Sequence, residues 1–238
     1  MTSAIEPLLR VSRVHFPVTA LGPGSRLGVW LQGCPLACAG CMSLDTWDAT
    51  GGVALEIEQV AAMWRDAVAA GADGITISGG EPLVQAAALT ALLRRISGAR
   101  PADAEPAGRE HDILLFTGFE LDELDDDQLD TTSLADVVVT GRYRAGEPTD
   151  LIWRGSANQR MHLNTDLGRQ RYSRFVNLMP DRAPIQLRAE HDGFWLIGVP
   201  RPGTLQNVER ALRRDGLTVD AVTWRRAAGS GTARPNFR

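Results

Sequence analysis

The sequence has 238 residues, 44% hydrophobic, 23% charged and 6% aromatic, with a formal charge of -4 and a pI near 5.6. That composition is globular, suits one sizeable domain with a small appendage, and has no general nucleic-acid or membrane charge footprint. All 25 basic residues are arginine, which excludes a Schiff-base lysine, a pyridoxal phosphate anchor and a P-loop lysine, and neither H-E-x-x-H nor G-x-G-x-x-G occurs.

In chain order, residues 8–18 alternate partly as a strand does, 21–25 (LGPGS) form a turn cluster, and 26–33 read as a second strand entering a cysteine-bearing loop. From Leu55 to Ala70 the apolar residues Ile57, Val60, Ala61, Trp64 and Val68 recur at helical spacing, with Gly71 as the stop. A short buried strand at 74–78 precedes a helix over 82–97 that has Pro82 in its first turn. Residues 98–112 are a Pro/Ala/charge-rich loop. Then come a strand (ILLFTG), a short acidic helix over 119–129 whose charges suit a solvated face, and a strand (ADVVVTG). Alternating apolar strands and helices predict a parallel sheet with helical cover, too short for eight units, hence a partial barrel or open sheet. Ligands of such folds lie at the strand carboxyl ends, where Gly33, Gly79 and Gly118 would converge. Beyond Gly141 the period lapses. A strand at FVNLM, a hairpin turning at Asp192-Gly193 and a helix over 205–217 are expected there, followed by a disordered tail.

The absence of an 18-residue apolar run and of a basic, then apolar, N-terminal leader predicts a cytoplasmic protein without membrane association. Every cysteine lies in GCPLACAGC: Cys34, Cys38 and Cys41, spaced C-x3-C-x2-C. Three thiols do not make a disulfide framework. A structural zinc site wants a fourth ligand, so Cys3His with His15 or a later histidine stays open, although zinc ligands usually come as two spaced pairs. A clustered triplet suits an iron–sulfur cluster with one iron free of protein. His15 reads more simply as strand packing, and the tryptophans as core anchors, with Trp47 close enough in sequence to shield the loop.

C-x3-C-x2-C is the cluster motif of the radical S-adenosylmethionine (SAM) enzymes. Residues 21–48 resemble their small activating enzymes that install glycyl radicals, most of all those of anaerobic ribonucleotide reductase. ISGGEPL (77–83), LLFTGFELDEL (114–124), ADVVVTGRYR and WRGSANQRMH (153–162) continue the resemblance in family order over about 11–165. It implies a partial (β/α) TIM-like barrel as radical SAM core over 1–168, with the cluster loop at 33–42, a small α+β appendage over 169–226, and a tail over 227–238. It further implies one [4Fe–4S] cluster on Cys34, Cys38 and Cys41, and SAM against Gly40, Met42, Ser78, Gly79, Gly80, Glu81 and Thr117, with Glu81 accepting from the SAM ammonium. Reductive cleavage of SAM would give a 5′-deoxyadenosyl radical that abstracts hydrogen from a glycyl radical enzyme, with a flavodoxin or ferredoxin-type protein as electron donor and no nucleic acid. A radical SAM enzyme acting on a peptide or small molecule, and a non-catalytic iron–sulfur carrier or sensor, are the alternatives. Two positions depart from the wider pattern. Gly40 stands where many radical SAM enzymes have an aromatic, a choice resembling the ribonucleotide-reductase activators, and Thr140 stands where an acidic residue is expected.

Overall fold

The computed structural model describes residues 7–97, 111–190, 193–217 and 222–224. The elements are β1 (Leu9–Val18), β2 (Arg26–Leu31), β3 (Val53–Leu55), α1 (Ile57–Ala69), β4 (Gly74–Gly79), α2 (Ala86–Ile96), β5 (Asp112–Phe116), α3 (Asp126–Ser133), β6 (Val137–Thr140), β7 (Arg160–Leu163), α4 (Asp166–Tyr172), β8 (Ile185–Glu190), β9 (Gly193–Gly198) and α5 (Thr204–Arg214). Local chemistry sets their ends. A Glu56/Gln59 capping box opens α1, and Gly71, at φ 89°, follows its last turn. Pro82 starts a 3-10 turn rather than an α-helix, so α2 begins only at Ala86. The acidic helix likewise starts late: Asp125 caps it through the Gln128 amide, and the preceding residues make a separate 3-10 turn at Leu121–Glu123.

Seven strands form one sheet in the order β3-β1-β2-β4-β5-β6-β7. β2, β4, β5 and β6 run parallel, whereas β1, β3 and β7 add antiparallel pairs at the edges. The partial TIM-like barrel is thus an open sheet among the described residues, with β3 and β7 as its two edges. Ile75, Ile77, Ile113, Leu115 and Val138 share a core with α1 and α2, and Leu89, Leu92 and Leu93 of α2 are fully buried there at about 1.5–3 kcal/mol each. On the opposite face, Leu114, Val137 and Val139 meet Trp153, Tyr172 and Ile197.

The two-stranded β8–β9 ribbon covers part of that second face. Trp195 of β9 packs edge-on against Trp30 at 4.6 Å and against His15 at 5.7 Å, so His15 is a packing residue. No strand forms at FVNLM: Phe175 ends a 3-10 turn and lies 4.8 Å from the Trp153 ring, and the Leu178 carbonyl accepts from the Ile152 amide. The 98–110 part of the charge-rich loop, the Asp192 turn position and the tail lie outside the described residues. Among the described residues, no helix is long and apolar enough to cross a membrane.

A buried ion pair fixes the amino ends of the central strands. Arg26 Nη2 of β2 lies 2.6 Å from Asp112 Oδ1 of β5, both fully buried, and Arg26 also donates to Thr76 Oγ1 and the Ile75 carbonyl of β4. Tyr172 and Arg171 of α4 each donate to the same carboxylate at 2.6 Å. Burial alone would raise the Asp112 carboxyl, yet Arg26 and these donors hold it below the ordinary aspartate range. Because the folded value is depressed, the stabilisation is complete above the unfolded value of about 4 and is lost as pH falls through the folded one. Asp112→Asn leaves Arg26 buried without a counter-charge and should cost about 3–5 kcal/mol at neutral pH. Urea unfolding at pH 7 and pH 3.5 checks this: the gap between variant and parent should be smaller at the lower pH.

Candidate metal centre and cofactor cradle

The cysteine loop leaves β2 at its carboxyl end and is closed at its neck. The Gly33 amide donates to the Thr46 carbonyl at 2.8 Å, and the Cys34 amide to the Trp47 carbonyl at 3.2 Å. Within the loop all three cysteines are half-buried free thiols. Ala37 (φ 47°) and Gly40 (φ 79°) take left-handed conformations, bends of the kind that turn backbone amides inward into anion-binding nests. Each sulfur accordingly has N–H donors. Leu36 and Ala37 serve Cys34, Tyr143 serves Cys38, and the Ser43 amide lies 3.4 Å from Cys41 Sγ. Burial pushes the Cys34 thiol up to about 11 against those donors, and burial raises Cys38 against the Tyr143 amide and the nearby Arg142 guanidinium.

This donor set fits an anionic iron–sulfur cluster, whose sulfurs take hydrogen bonds from surrounding amides. The described histidines are engaged elsewhere: His15 at Trp195, His111 against Trp64 and His162 at Thr140.

Glu81 ties the ends of three parallel strands together. Its amide donates to the Gly33 carbonyl at 2.9 Å, joining the cysteine loop to the turn after β4. Its fully buried carboxylate accepts from the Leu83 amide (2.9 Å) and Thr117 Oγ1 (2.8 Å) on one oxygen, and from the Gly118 amide (2.7 Å) on the other. Gly33 and Gly118 thus meet through this residue, and Gly79 lies two positions before it against Leu31. Burial raises the Glu81 carboxyl, and the three donors offset part of that. The glycines before it serve the same approach: a Cβ on Gly80 would stand 2.3 Å from the Gly33 carbonyl oxygen, and Gly79 has φ 113° with its missing Cβ 2.3 Å from the Leu31 nitrogen.

The other expected cofactor residues have contacts of their own. Ser78 is half-buried opposite Trp30 in the β2–β4 ladder, Thr117 is buried beneath Glu81, and Gly40 faces Tyr143 and Ala145. Met42 is half-buried, and its carbonyl accepts from Thr223 Oγ1 at 2.8 Å while the Thr223 carbonyl accepts from the Leu44 amide at 3.1 Å. This strap from the C-terminal region was not legible in the cysteine motif. Residues 153–160 stitch the β6–β7 connection: Asn158 donates to the Arg142 carbonyl, Gln159 to the Gly141 carbonyl, and Arg154 to the Val176 carbonyl. Thr140 is fully buried, with its hydroxyl 3.0 Å from His162 Nε2.

The family described as "4Fe-4S single cluster domain" matches residues 20–162. The anaerobic ribonucleoside-triphosphate reductase-activating proteins of Escherichia coli K12 and of bacteriophage T4 are 34% and 31% identical to this chain, over 62% and 61% of its length and 95% and 88% of theirs. The chain belongs to this 4Fe-4S single cluster family and to the family of these activating proteins. Its family is described by a single [4Fe–4S] cluster. The solved structure of QueE from Escherichia coli matches 58% of this chain and 73% of its own at 18% identity and a TM-score of 0.34. The family match stops before α4, β8, β9 and α5.

Each Glu81 oxygen receives a backbone N–H, so the amide of Glu81→Gln must set its NH2 against one of them. This activating enzyme should lose about 1–3 kcal/mol in that variant. In hydrogen exchange on the cluster-free protein, the Leu83 and Gly118 amides should exchange faster than in the parent, with α1 unchanged.

Proposed function

We propose that this enzyme installs a glycyl radical on an anaerobic ribonucleotide reductase, the protein its relatives are named for activating. The observation that carries the reading is the nest of amides around three thiols, held by Glu81 at the carboxyl ends of β2, β4 and β5. Cys34, Cys38 and Cys41 each hold one iron, and Gly40, Met42, Ser78, Gly79, Gly80 and Thr117 form the wall beside the SAM site. With both bound, the cluster and SAM supply reductive cleavage of the sulfonium and hydrogen abstraction, driven by an external low-potential electron donor.

The chain's own part is positioning. The amides at the sulfurs stabilise thiolate charge. Glu81, whose carboxylate accepts from three protein donors, acts as a positioning residue that sets the cysteine loop against the turn after β4. Residues 1–168 form the catalytic core, and residues 169–226 an appendage to it.

Anaerobically reconstituted protein with dithionite and SAM should yield 5′-deoxyadenosine, and Cys38→Ala should yield at least a hundredfold less, by the order of magnitude that loss of an essential group costs. Added to an anaerobic ribonucleotide reductase, the native protein should produce a glycyl radical doublet in electron paramagnetic resonance. Deoxyadenosine without that doublet would move the reading to a peptide or small-molecule substrate. An intact cluster that cleaves no SAM, with or without the reductase, would point to a carrier or sensor.

A further inference from the structure

Charge is divided unevenly along this chain. Residues 1–168 carry 12 arginines against 23 carboxylates, whereas residues 169–238 carry 13 arginines against 6. The division falls close to where the family match ends, at residue 162, so the basic part is an addition to the shared core. It also reaches the cysteine loop. Thr223 bonds to Met42 and Leu44, directly after Cys41, and the neighbouring Trp224 indole donates to Glu209 of α5 at 2.8 Å. Glu209 is buried in that contact, and Phe194 of β9 lies 6.3 Å from the Trp224 ring. Two links therefore join α5 to the loop that carries the cysteines.

Arg210, Arg213 and Arg214 of α5 follow at helical i, i+3 and i+4 spacing, so they share one face, and all three are exposed. Arg213 reaches Glu209 only at 3.5 Å and Arg214 its neighbour Asp215 at 3.8 Å, while Arg210 has no carboxylate within 4 Å among the described residues. The helix dipole accounts for arginines in the last turn. It does not account for the basic excess of the whole appendage, nor for its seat beside the cysteine loop.

We propose that this arginine face of α5 is the docking surface for an acidic one-electron donor protein of the reduced flavodoxin or ferredoxin class. The inference rests on the radical SAM reading. The donor gives up one electron, a flavin hydroquinone becoming the semiquinone, and the cluster takes it, passing from the 2+ to the 1+ state. Charge complementarity directs encounter and sets its salt dependence. The acidic segment from Glu120 to Asp130 follows the carboxyl end of β5, at the same sheet end as the cysteine loop, and repels an acidic partner from that side.

The test uses the triple variant Arg210→Gln, Arg213→Gln, Arg214→Gln, which keeps helix formers at each position. The probe is a fully reduced flavodoxin. Calorimetric affinity at low ionic strength should fall about tenfold in the variant, with a shallower dependence on salt. Flavodoxin-driven 5′-deoxyadenosine formation should fall with it, while dithionite-driven formation stays at the parent rate. Equal affinity and equal flavodoxin-driven rates in variant and parent would overturn the proposal. So would a loss of affinity confined to the partner reductase or to a DNA duplex, which would assign the face to that macromolecule. Failure of dithionite to drive any product would count against the radical SAM reading, and the calorimetry would still decide the docking surface.

Discussion

Everything at the reactive end of this molecule depends on one buried carboxylate. Glu81 receives the Leu83 amide, the Gly118 amide and the Thr117 hydroxyl while its own amide holds the Gly33 carbonyl. A carboxylate withdrawn from water is costly unless its lone pairs are filled. Here the groups that fill them belong to the connections after β4 and β5, so satisfying the charge also fixes the positions of those connections. The cysteine loop is hung from the same residue, and the thiols inherit their placement from it.

The opposite end of the sheet has its own clamp. Arg26, Asp112, Thr76 and Tyr172 join β2, β4, β5 and α4 in one buried network. The two clamps share the parallel strands and fix their register from both ends. They differ in electrostatic balance. Asp112 is held ionised by cations and donors, whereas Glu81 has neutral donors and a carboxyl raised by burial. A charge compensated mainly by dipoles leaves its neighbourhood negative, a setting that suits recognition of a cationic ligand more than further anions.

Much of this was legible in the sequence, for identifiable reasons. The helices α1 and α2 show a 3.6-residue apolar period with a clear stop or start, and the buried parallel strands are short apolar runs bounded by glycine. The cysteine triplet needs no fold to be recognised. What escaped depends on partners far along the chain. β3 has three residues and exists because β1 pairs with it, and β7 lies in a stretch without periodicity and is defined by β6. The α4 helix contains Gly168, whose missing Cβ lies 2.3 Å from the Asp136 carbonyl oxygen, a packing demand that local propensity opposes. The Glu81 hub was visible only as an acidic residue in a glycine-rich turn, because its two main partners come 36 and 37 residues later. The charge division was open to simple counting along the chain.

The strap on the cysteine loop has a consequence for the order of events during synthesis. Met42 and Thr223 are separated by 181 positions, so the loop leaves the ribosome long before the residues that clasp it exist. At the usual elongation rate of about 5–20 residues per second, that interval is on the order of ten seconds to half a minute. For that time the thiols lie in a loop that its own neck can close but that the C-terminal region cannot yet cover. The strap is therefore among the last contacts to reach the loop, made only after residue 223 has been added, whereas the neck bonds of the loop join residues 13 positions apart.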